Sequence, residues 1–274
     1  MNLSRNPETA EFLEDIYDRC NRIERLCRDP LAIVRRHEDP ADREVAGIVC
    51  STLAFGSVDL ILRACERALE PLGSRPAARL ASMDDKDIER LWAGFQYRFC
   101  FPSDIQSLFR AVRDARRLRG SLQGLFLDGD AEGNSLVDAA SAFIKGLRVL
   151  GAGTGGRGIR PNLLPDPKDG SACKRFFLFL RWMVRRDGVD PGGWDSVSPA
   201  RLIVPLDVHM VGTCRERLGF LGPGRASGSP NLRDALSVTG QFALYSPEDP
   251  VKYDFALTRP GIDPRPGDEV FGCL

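Results

Sequence analysis

The chain is 274 residues long, room for one large domain or two small ones. Hydrophobic residues make up 43% and charged residues 28%, which excludes wholesale disorder. Basic and acidic residues both number 38. A net charge of zero excludes a histone-like polycation but leaves room for a local basic face. Arginine outnumbers lysine 33 to 5, so each lysine is a rare event.

The eight cysteines form no CxxC pair and mostly sit in apolar stretches. They read as reduced, buried small hydrophobes. With two histidines and no clustered ligands, neither a metal site nor a cofactor is expected. The N-terminal stretch has no apolar signal core, and no apolar run is long enough for a membrane span. These features predict a soluble, cytoplasmic protein with no membrane partner.

In chain order the periodicity is helical almost throughout. Phe12, Ile16, Ile23 and Leu26 predict a helix over 8–28. Asp39-Pro40-Ala41-Asp42 reads as a helix start, and the apolar run from Val45 to Phe55 predicts a buried helix. Gly56-Ser57 ends it. Further helices are predicted at about 58–71, 76–82, 85–94, 103–118 and 134–149. Strict apolar–polar alternation is nearly absent, so a sheet core is not expected. The fold class is therefore all-α.

Glycine-rich stretches at 151–160 and 219–230 mark connections. The first lacks the Lys-Ser/Thr that a phosphate loop needs. The expected organisation is one two-lobed helical unit spanning 1–274. Its lobes fall at about 40–150 and 161–220, with 1–39 and 221–274 packing back on them.

Arginines cluster at 110–119, and six bases occur over 168–186 against one acid. Each cluster alone could be a solvated helix face. Together they fit phosphate contact.

The most informative stretch is 162–220. Leu164-Pro165-Asp166-Pro167-Lys168-Asp169-Gly170 is a tight turn. Ser171 can cap a helix from about 172 to 186. The turn is either an ordinary connection or a seat for a phosphate at a helix N-terminus. From Phe176 to Val184 the helix is apolar except at Arg181, which predicts a buried central helix. Lys174 and Arg175 in its first turn oppose the helix dipole and need another reason to be there. Phosphate contact is one reason, and a reactive amine near a substrate is another. Pro205 then forces an extended approach to Asp207, at the start of a helix predicted to reach about 218. Asp207 reads as an N-cap that could also serve as a catalytic carboxylate at a cleft wall.

The turn, the apolar helix and Val204-Pro205-Leu206-Asp207-Val208-His209, followed by Arg215 and Leu218-Gly219, resemble the helix–hairpin–helix DNA glycosylase superfamily. The sequence looks closer still to an uncharacterised bacterial family of unknown function, itself similar to those glycosylases. The segments 173–185, 205–209 and 249–257 carry that likeness, with Asp42-Arg43-Glu44 to Phe55-Gly56 and Tyr97-Arg98-Phe99. The resemblance implies two helical subdomains with a cleft between them. It gives Asp207 the place of the catalytic aspartate and Lys174 that of the Schiff-base lysine, 33 residues apart here. It implies excision of a damaged or modified base flipped out of duplex DNA. His209, Trp194, Trp182 and Tyr97 are the candidate pocket residues, with Trp194 expected to be the best exposed. Lys168, Gly170, Ser171, Arg175, Arg181 and Arg185 are the candidate nucleic-acid contacts. The hairpin lacks a clean Gly-x-Gly, and the superfamily's C-terminal iron–sulfur cysteines are absent, with only Cys273 nearby. Two alternatives stand beside this reading: a non-catalytic nucleic-acid binder, and a glycosidase acting on a nucleoside or an RNA base.

Overall fold

The computed structural model describes residues 5–131, 135–153, 158–222 and 229–271. Within the glycine-rich stretches, residues 154–157 and 223–228 lie outside the described residues, as do 132–134 and Cys273. Among the described residues there are helices and no strands, with only isolated bridges such as Tyr97 to Cys100. The all-α expectation holds. No described helix is long and apolar enough to cross a membrane. The chain divides into two compact units. One comprises 1–29 with 170–274, the other 30–169.

Helix α1 (Pro7–Cys20) begins where the Asn6 side chain accepts from the Glu8 and Thr9 amides, and it buries Leu13, Ile16 and Cys20. It stops short of the predicted 8–28. A 3-10 turn at Ile23–Arg28 follows, and Ile23 is exposed.

The second unit holds α2 (Leu31–Val34), α3 (Pro40–Thr52), α4 (Val58–Leu69), α5 (Pro76–Ala81), α6 (Asp85–Leu91), α7 (Pro102–Arg119), α8 (Leu122–Gly129) and α9 (Leu136–Ala152). As predicted, Asp39 caps α3 through the Ala41 amide with Pro40 at the first position. The helix is buried along most of its length. Helix α7 packs on α8 and α9. Trp92 stacks on Phe109 at 4.0 Å and donates its indole N–H to the Ala68 carbonyl. Buried Glu44 accepts the Leu122 and Gln123 amides at 3.0 Å, satisfying the first turn of α8 while it pairs with Arg116. Helix α8 itself was not predicted.

The arginines of 110–119 prove internally compensated. Arg113 pairs with Asp85 and Asp114, Arg110 with Glu89, and Arg119 with Asp128. Arg110 and Arg113 are buried. Arg110 and Arg113 are thus committed to carboxylates inside the unit, while the Arg117 and Arg119 side chains stay exposed.

The first unit continues with α10 (Lys174–Val184), α11 (Val208–Gly212), α12 (Leu232–Phe242) and α13 (Asp254–Ile262). Helix α10 is central and buried, as its composition predicts. Its N-cap is Cys173, in the left-handed region at φ 44°, rather than Ser171. The Ser171 hydroxyl instead accepts from the Cys173 amide at 3.2 Å. Helix α11 passes into a π-helical turn at Thr213–Arg217, so the predicted helix from 207 to 218 changes its winding partway. The N-terminal residues are tied into this unit by Arg25–Asp268, Lys252–Glu14 and Arg259–Asp29.

Candidate active site

Asp207 stands at the N-cap of α11. Its Oδ1 accepts the Met210 amide at 2.9 Å, as expected of a cap. That leaves Oδ2 free to face the Lys174 ammonium, with Nζ 3.7 Å away. The distance is too long for a direct hydrogen bond and close enough for strong pairing of charge. Lys174 is the first residue of α10, where the helix dipole opposes a cation. The Asp207 carboxylate supplies the compensation. The two side chains keep 31% and 19% of their surface exposed, so solvent reaches both.

Beneath this pair lies a buried ionic base. Arg181 donates to Asp190 from Nε and Nη2, and to Asp254 from Nη1 at 2.5 Å. Arg185 pairs with Asp190, Asp187 and Asp249. Burial opposes the charge on both guanidiniums, but the surrounding carboxylates hold them above the usual arginine range. Burial pushes the Asp254 carboxyl up; Arg181 pulls it back, the Asp207 charge raises it and Lys174 lowers it. Arg259, also buried, bonds Asp29 at 3.1 Å and packs over the Phe255 ring at 4.2 Å. Its Nε and Nη1 find no acceptor among the described residues. Burial depresses its affinity for the proton, an effect that Asp29, Asp254 and Asp207 oppose.

The sequence-derived site residues separate into three groups. Lys174 and Asp207 come together, and His209 is exposed on the first turn of α11, two residues along the chain from Asp207. The imidazole covers Gly261 of α13: a Cβ there would meet Nδ1 at 2.8 Å, so glycine makes room for the ring. Trp182 and Trp194 are core residues. Trp194, expected at the surface, is 1% exposed and packs edge-on against Phe179. Its glycine-rich loop folds back along α10, where the Gly192 and Trp194 amides donate to the Trp182 and Met183 carbonyls. Tyr97 belongs to the second unit and donates its hydroxyl to the Phe55 carbonyl.

The candidate nucleic-acid contacts divide as well. Arg181 and Arg185 are each 3% exposed and committed to carboxylates, so neither offers its charge to a phosphate. Lys168 pairs with Asp138 at 2.6 Å. Gly170 is exposed at φ +86°, and its carbonyl accepts the Leu232 amide. Ser171 and Arg175 are half-buried. Residues that sequence reasoning did not single out are Asp254, Arg259 and Gly261. Their signal lay in Asp254-Phe255-Ala256-Leu257-Thr258-Arg259, where charges bracket an apolar run and must find buried partners.

These features define an all-helical protein with an accessible lysine–aspartate pair set on a buried ionic network. The family described as "Protein of unknown function (DUF2400)" matches residues 29–263, and the chain belongs to it. The matched segment contains Lys174, Asp207, Asp254, Arg259 and Gly261. No curated protein and no solved structure matches the chain.

Proposed function

We propose that the protein cleaves an N-glycosidic bond, excising a damaged or modified base from DNA in the manner of the helix–hairpin–helix glycosylases it resembles. The observation that carries this reading is the Lys174–Asp207 pair, two accessible groups of opposite charge 3.7 Å apart. As the bond from C1′ to the base breaks, positive charge develops on the sugar. A carboxylate fixed by its cap bond stabilises that charge without having to reorganise. Two nucleophiles are open. Water attacking C1′ gives the free sugar, while the Lys174 amine, after losing a proton to Asp207 or solvent, forms a C–N bond there. In both cases the base departs with the electron pair of its bond to C1′ and takes up a proton.

A second reading, a glycosidase acting on a nucleoside or an RNA base, is favoured by one observation. Arg181 and Arg185 are consumed internally, which removes two expected contacts to a DNA backbone. The deciding assay incubates labelled duplexes bearing oxidised, alkylated and deaminated bases with the parent and with Asp207→Asn. Alkali then reveals abasic sites. Excision by the parent and not by the variant supports the DNA reading. Borohydride trapping that disappears in Lys174→Met adds the amine step. Release of base from free nucleosides alone favours the second reading. Full activity in Asp207→Asn refutes the role given to that residue.

A further inference from the structure

In the second unit, the chain between α6 and α7 forms a two-residue finger. Tyr97 and Cys100 exchange both backbone hydrogen bonds, at 2.9 and 2.8 Å, leaving Arg98 and Phe99 at the tip. Arg98 has a φ of +50°, a conformation glycine adopts more cheaply. The finger is nevertheless fixed from several sides. The Tyr97 hydroxyl binds the Phe55 carbonyl, and the Phe55 ring stacks on Phe99 at 4.3 Å with 14° between planes. Arg160 donates to the Phe99 carbonyl, pairs with Asp104 at 2.6 Å and covers Phe101 at 5.2 Å. Gly56, at φ +108°, lets the α3–α4 turn approach: a Cβ would meet the Tyr97 hydroxyl at 2.9 Å and Arg98 Nη1 at 3.2 Å.

This scaffold leaves part of each ring and the Arg98 side chain open to solvent. Phe99 and Phe101 are 36% and 42% exposed. Arg98 is exposed and makes no ion pair among the described residues. We propose that the Arg98–Phe99 tip is a nucleic-acid contact, in which Phe99 stacks on an unpaired base and Arg98 meets the neighbouring phosphate. A flat ring held rigid on one face and an uncompensated guanidinium beside it match a polymer of aromatic bases and anionic links. An aromatic peptide would use the ring and leave the charge idle. The inference rests on the nucleic-acid part of the proposed function and shares no residue with its cleavage step.

The test measures anisotropy of fluorescein-labelled duplexes of roughly 20 base pairs, one carrying a single bulged adenine and one fully paired. The parent should prefer the bulge. Phe99→Ala should weaken bulge binding about 10-fold, within the range for one base–aromatic stack, and erase the preference. Arg98→Gly relaxes the backbone and should fold at least as well. It should weaken both duplexes alike and flatten the salt dependence by about one ion. Phe99→Trp adds a reporter against three buried tryptophans, and the bulged duplex should quench the new emission. Parental affinity in both Phe99→Ala and Arg98→Gly, an unquenched reporter, or no bulge preference in the parent would each overturn the proposal. A parent that prefers the bulge yet excises no base refutes the cleavage reading alone, and a parent that excises a base yet shows no bulge preference refutes this one alone.

Discussion

Replacing Arg181 with methionine keeps the length of the side chain and deletes its charge. Asp254 then loses its only side-chain partner among the described residues, while Asp190 keeps Arg185. At contact distances of 2.5 and 2.9 Å, each Arg181 pair is worth about 6 kcal/mol before desolvation, taking an effective dielectric of about 20. Desolvation offsets much of that in the intact network. Removing one partner leaves the offset uncompensated, so the expected loss is about 3–5 kcal/mol. The loss should depend on pH. Burial already raises Asp254, and without Arg181 its folded-state pKa climbs further above the unfolded value. An acid raised in the folded state costs stability above that pKa and stops doing so once protonated. The gap between parent and Arg181→Met should therefore narrow as pH falls from 7 to 5, and Asp254→Asn added to the variant should recover part of it. Urea unfolding of parent and variant in a Trp92→Phe background, followed by Trp182 and Trp194 emission, measures both quantities. A loss below about 1 kcal/mol at neutral pH, or a gap that does not change with pH, would refute the ionic-base account.

Asp207→Asn should retain the cap bond to Met210 and change stability by only a few tenths of a kcal/mol, whereas Asp207→Ala should cost about 1 kcal/mol. Calorimetry of the two variants separates the cap from the chemistry. Glu44→Ala strips partners from two amides of α8 and from Arg116, and should lower the unfolding free energy by about 3 kcal/mol. Burial raises Asp187, but Arg185, the Asp190 and Val189 amides and Asn21 outweigh it and hold the group at about 2. Its contribution is thus present above the unfolded pKa near 4 and lost as pH falls through about 2. Acid titration of Asp187→Asn should lack that limb of the parent's unfolding curve.

Local chemistry in the sequence foretold the local parts of the fold. Asp39-Pro40 marked the start of α3, and the apolar run from Phe176 to Val184 marked a buried helix. Helices at 76–82, 85–94 and 103–118 appeared close to their predicted bounds. What escaped depends on distant partners. Arg181 and Arg185 read as candidate nucleic-acid contacts because two of their carboxylate partners, Asp249 and Asp254, lie more than sixty residues away. Trp194 read as exposed because glycine-rich loops usually are, and only the carbonyls at the end of α10 draw this one inward. The left-handed Cys173 displaced Ser171 as the cap, a choice made by the backbone path rather than by side-chain preference. Of the site, Lys174 and Asp207 were legible as types in a pattern. Their proximity across 33 residues required the folded chain.

The assignment of residues 1–29 to the same unit as 170–274 bears on the order of events during synthesis. Residues 30–169 form a continuous stretch that can begin to fold as soon as it has left the ribosome. The N-terminal segment must wait, because Glu14 of α1 needs Lys252, Arg25 needs Asp268 and Asp29 needs Arg259. The catalytic candidate Asp207 can thus be translated well before the ionic base beneath it is complete, since Asp254 and Arg259 come 47 and 52 residues later. A ribosome stalled between those points would hold a finished middle unit flanked by an unfinished site.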